Sequence, residues 1–132
     1  MKINAVKTIR IGFILYWLAL TFLLLVYNPF EFAPIDEEFV EDGFGIGMDA
    51  HVLTFLLLAV LGMASRFRRP WMWAGIFVLY AGATEYLQGF TGRCCDLADF
   101  INNLLGLAFG LAGWFITILL HRLFRRKKDA EQ

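Results

Sequence analysis

The chain has 132 residues, of which 59% are apolar and only 18% charged, and its mean hydropathy is +0.61. That length suits one domain and excludes a multidomain enzyme, and a soluble domain of this size has too little interior to hide so much apolar surface. Twelve Lys plus Arg balance twelve Asp plus Glu, but the two signs are segregated along the chain.

Four stretches carry almost no charge: 11–27, 50–65, 70–84 and 100–120. A spanning helix needs about 20 mostly apolar residues, with about 17 as the lower limit. The first and last stretches meet this unaided. The middle two meet it only by taking in Gly47, Met48 and Asp49 at one end and Glu85 to Gly89 at the other. The predicted fold is therefore all-α: a polytopic membrane protein forming one four-transmembrane-helix bundle over 1–132, with helices at about 10–28, 47–65, 70–89 and 98–121.

The first apolar run follows Lys2, Lys7 and Arg10 and ends at Tyr27-Asn28-Pro29-Phe30. It exceeds the about 7–15 residues of a secretory-signal core and reads as an uncleaved anchor, with the proline ending it. The acidic loop 28–47 mixes Glu31, Asp36, Glu37, Glu38, Glu41 and Asp42 with four phenylalanines. It is either a solvated link or an interfacial segment that roofs the neighbouring helices. Gly43, Gly45 and Gly47 lack the preceding strand of a nucleotide-binding turn and read as a flexible lead into the second helix.

Eleven of the twelve basic residues lie before helix one, between helices two and three, or after helix four, and only Arg93 falls elsewhere. Basic residues mark the cytoplasmic side of short loops, so both termini are expected in the cytoplasm. Ten of the twelve acids lie at or beyond the opposite face. Trp71 and Trp73 beside Arg69 suit an inner interfacial belt. The basic tail is a stop-transfer device or a contact for anionic lipid headgroups. No recognition fold accompanies it, and no nucleic-acid partner is expected.

In that orientation Asp49 and His51 open helix two at the outer face, and Glu85 and Gln88 close helix three there. Arg93, Asp96, Asp99, Asn102 and Asn103 occupy the last hairpin and the first turns of helix four. Polar groups at membrane depth are costly and normally face a bundle interior or a wet cavity, so these residues are the expected site. Asp96, Asp99 and Asn103 share a helical face that Gly106 and Gly110 extend, a small-residue stripe suited to close helix packing. His51 and Glu85 are the candidate acid–base pair, although no nucleophile accompanies them. Each also has a structural reading: His51 as a hydrogen-bonded interfacial residue, Asp96 as a helix cap, Arg93 as a headgroup anchor. One histidine among carboxylates, without HExxH, leads to no expected metal or cofactor. Adjacent Cys94 and Cys95 close a disulfide only through a strained ring and read as thiols, lipid-modified or packed side chains.

The set Asp49-x-His51, Glu85-x-x-Gln88 and Gly92-Arg93-x-x-Asp96-x-x-Asp99-x-x-x-Asn103-x-x-Gly106-x-x-x-Gly110 resembles the VanZ-like family of small bacterial membrane proteins, over roughly 48–113. Where that family carries a basic residue shortly before its histidine, this chain has Met48-Asp49-Ala50. The resemblance implies a multi-pass protein of the bacterial cytoplasmic (inner) membrane, with relatives associated with resistance to teicoplanin-type lipoglycopeptides, and it implies no reaction. The expected function is engagement of an envelope lipid or cell-wall precursor headgroup by a pocket of Asp49, His51, Glu85, Gln88, Arg93, Asp96, Asp99 and Asn103. The alternatives are an intramembrane hydrolase or transferase acting on a lipid-linked phosphate or ester, and a structural helix-packing partner. Expected partners are membrane lipids, a lipid-linked precursor or a lipoglycopeptide, and further copies of the chain.

Overall fold

A computed structural model describes residues 5–26, 46–90 and 97–130, with side chains for 5–26, 50–90 and 97–126. These residues form four α-helices and no strand: α1 (Ala5–Leu25), α2 (Ile46–Ala64), α3 (Pro70–Gln88) and α4 (Leu97–Ala130). Two are long and apolar enough to cross a membrane, α1 and the Leu97–Arg126 part of α4.

Two expected boundaries are corrected. The first helix begins at Ala5 and ends at Leu25, where 10–28 was expected. The fourth runs to Ala130 rather than stopping near 121. Lys and Arg are good helix formers, and no Gly or Pro follows Gly113, so the basic tail simply continues the helix. The second helix reaches back to Ile46 and the third runs on to Gln88, so both take in the polar turns at that end.

The tightest packing is between α2 and α4. It depends on the absence of side chains: a Cβ at Gly106 would strike the Val52 carbonyl oxygen, and one at Gly110 would lie 2.6 Å from the Leu56 carbonyl oxygen. Backbone cannot yield as a side chain can, so only glycine allows these helices to approach so closely.

Beside aliphatic residues such as Leu20, Leu58 and Leu107, the core holds a cluster of aromatic rings. Phe13 of α1 meets Trp17, Phe67, Trp73 and Phe77 at centroid distances of 5.4–6.0 Å, mostly edge to face. Such pairs add to simple burial because the ring edge is positive and the face negative. The two tryptophans expected at an inner interface differ in packing. Trp73 stacks on Phe67 at 4.2 Å and packs, half-buried, against the core, whereas Trp71 is exposed.

Between α2 and α3 the chain turns over 65–69, and α3 opens on Pro70, whose missing N–H costs nothing in a helix's first turn. Arg10 of α1 holds this turn. Its Nε donates to the Ser65 carbonyl at 2.9 Å, its Nη2 donates to the Arg66 carbonyl at 3.3 Å, and its guanidinium lies 5.4 Å from the Phe67 ring centre. A cation thus meets the carbonyls left unpaired at the end of α2. Within the helices, the hydroxyls of Thr21, Thr54, Ser65 and Thr84 each bond a carbonyl one turn back, so none is left without a partner in an apolar setting.

Candidate functional site

The end of the bundle away from the 65–69 turn carries the polar residues. His51 lies near the start of α2, Glu85 in the last turn of α3, and Asp99 and Asn103 in the first turns of α4. The Gly106–Gly110 contact draws α4 onto α2 just below them, which brings Asn103 to His51.

Asn103 is the centre of the arrangement and is fully buried. Its Nδ2 donates to Glu85 Oε1 at 2.8 Å, and its Oδ1 lies 2.9 Å from His51 Nδ1. An amide oxygen only accepts, so His51 Nδ1 must be the protonated nitrogen, and Nε2 is left with its lone pair in the neutral ring. His51 Nε2 faces Asp99 Oδ2 at 3.8 Å, beyond direct hydrogen-bond length and at the limit of an ion pair. His51 and Glu85 are 5% and 4% exposed, whereas the Asp99 side chain is 35% exposed. The result is a chain of groups that is buried at Glu85, Asn103 and His51 and reaches the surface at Asp99.

This polarity separates the predicted residues by role. Glu85 and Asn103 are engaged with one another and hold the imidazole in one tautomer and orientation, as an orienting acid does for a histidine in hydrolytic sites. Among the described residues of the expected site, Asp99 is the one whose side chain is partly exposed, and His51 Nε2 faces it. Gln88 is buried too, but its Nε2 donates to the Leu24 carbonyl at 3.1 Å and so serves the end of α1. Arg93 and Asp96, the Asp49 side chain, Cys94, Cys95 and the loop 28–45 lie outside the described part.

Asn102 is buried beside Asn103, as expected for a polar residue at this depth. Sequence reasoning missed a second polar layer deeper in the bundle, where Tyr16 donates to the Thr54 carbonyl at 2.8 Å and the hydroxyls of Thr21 and Tyr80 meet at 2.9 Å. The only signal was tyrosine and threonine inside otherwise apolar runs. Among the described residues no three His, Cys, Asp or Glu side chains are grouped so as to hold a metal ion. Compared with protein-family models, curated proteins and solved structures, the chain matches none of them.

Proposed function

We propose that this chain is a VanZ-like, four-span protein of the bacterial cytoplasmic membrane, with both termini cytoplasmic. Its outer-leaflet polar site engages the headgroup of an envelope lipid or lipid-linked cell-wall precursor and thereby contributes to resistance to teicoplanin-type glycopeptides. Membrane insertion is supported by the outward faces of α1 and α4. Only 17% of each apolar window is buried inside the molecule, whereas the core helix of a soluble protein would be mostly covered. Residues such as Leu15, Leu18, Leu79 and Phe109 need an apolar solvent.

The observation that carries the ligand site is the hydrogen-bonded chain from Glu85 through Asn103 to His51, drawn from three helices and ending outward at Asp99. A network this ordered, with a partly exposed carboxylate at its end and an imidazole nitrogen behind it, suits a headgroup's hydroxyl or amine. Arg93, which the sequence puts in the adjoining hairpin, supplies a planar fork for its phosphate. Mass spectrometry of lipids retained by the purified protein, read beside teicoplanin sensitivity in cells, tests the proposal. His51→Ala and Arg93→Ala should lower both retention and tolerance. If both stay unchanged in correctly inserted protein, the proposal fails.

A second reading is favoured by the tautomer alone. A histidine whose Nδ1 is held by a buried amide and whose Nε2 is basic can take a proton from water attacking a lipid-linked phosphate or ester. Turnover of such lipids by the purified protein, lost in His51→Ala, would put this reading first.

A further inference from the structure

At the opposite end of the bundle, α2, the 65–69 turn, the start of α3 and the later part of α4 surround a cavity of about 500 Å³. This lies within the roughly 300–1,000 Å³ usual for ligand sites. Its walls include Phe67, Trp73 and Trp114, and its rim carries Arg66, His121 and Arg122. No carboxylate among the described residues lines it, and Glu85 and Asp99, the acids with described side chains, sit at the far end of the molecule. Two permanent positive charges therefore border an apolar hollow, and no acid among the described side chains meets them.

Arg66 adds an independent observation. It is the one non-glycine residue with a positive φ (50°) among the described residues, and it directly follows the last turn of α2, where its N–H bonds the Met63 carbonyl at 3.2 Å. This left-handed position after a helix is ordinarily taken by glycine, which has no Cβ to crowd the carbonyl. The backbone gains nothing from an arginine there, so the reason for it lies in the side chain.

We infer that this cavity seats an anionic phospholipid of the cytoplasmic leaflet. Arg66 and Arg122 hold its phosphodiester, His121 donates beside them, and an acyl chain lies along Trp114 and Phe115. Charge complementarity selects the anionic headgroup, and the apolar wall selects a lipid over a soluble phosphate. The inference rests on the membrane-spanning part of the proposal above and on nothing about its polar site.

The test is native mass spectrometry of the full chain in detergent, titrated with phosphatidylglycerol or phosphatidylcholine, with inorganic phosphate as competitor. The wild type should prefer phosphatidylglycerol by about twenty-five-fold, roughly fivefold for each arginine. The double substitution Arg66→Gly with Arg122→Gln should abolish the preference. Arg66→Gly alone should reduce it about fivefold while leaving the melting temperature equal or higher, because glycine suits the backbone at that position. Equal binding of the two lipids, a preference that survives the double substitution, displacement by millimolar phosphate, or unfolding of Arg66→Gly would each overturn the inference. His51→Ala should leave the preference intact, so failure here is distinct from failure of the outer site.

Discussion

Asn103 of α4 donates to Glu85 of α3 at 2.8 Å with both side chains buried, and the same amide turns its oxygen to His51 of α2. One side chain thus ties three helices together and decides which face of the imidazole is basic.

Removing that side chain leaves buried partners behind. Asn103→Ala should lower stability by about 2 kcal/mol, since stranding a buried polar group costs about 1–3 kcal/mol. Glu85→Gln keeps an oxygen to accept from Asn103 and should stay within about 1 kcal/mol of wild type, whereas Glu85→Leu should resemble Asn103→Ala. Equilibrium unfolding in mixed micelles measures all three. Equal losses for Gln and Leu at position 85 would mean that the bond to Asn103 carries no weight.

The glycines of α4 should not behave alike. Gly106→Ala and Gly110→Ala drive a methyl into the backbone of α2 and should each cost about 1–3 kcal/mol. Gly113 has open space where its Cβ would stand, so Gly113→Ala should be neutral or stabilise by up to about 1 kcal/mol. The same unfolding measurement checks the contrast, and a uniform response across the three positions would contradict the packing described.

Arg10 provides two hydrogen bonds and a ring contact at the 65–69 turn. Arg10→Ala should destabilise by about 1–2 kcal/mol and speed amide exchange at residues 65–69. Arg10→Lys keeps the charge but not the fork and should fall between the two. Hydrogen exchange read by mass spectrometry resolves the turn from the rest of the chain.

How much of this was legible in the sequence follows from where charged and apolar residues fall along the chain. Charge-free runs bounded by arginine, proline or acids mark the helices, and the Gly106-x-x-x-Gly110 stripe beneath Asn103 marks the face of α4 that meets a neighbour. The rotation of α1 and α3 about their own axes was not legible, because apolar residues surround both and no polar stripe distinguishes inside from outside. For that reason the packing of Trp73 against Phe67 and Phe13 could not be read from its position beside Arg69. The bond from Gln88 to the end of α1 was not legible either. The roles of Arg10 and Arg66 depend on a turn whose shape no spacing rule specifies. The continuation of α4 to Ala130 was hidden because basic residues signal a membrane boundary and also propagate a helix.

A headgroup site in the outer leaflet requires the His51–Asn103–Glu85 end of the bundle to face away from the cytoplasm. Single cysteines at Leu97 and Leu123, both exposed and near opposite ends of α4, can report this in a background with Cys94 and Cys95 changed to serine. A membrane-impermeant maleimide applied to intact cells should label Leu97→Cys at once and Leu123→Cys only after permeabilisation. Labelling in the reverse order, or of both positions alike in intact cells, would contradict it.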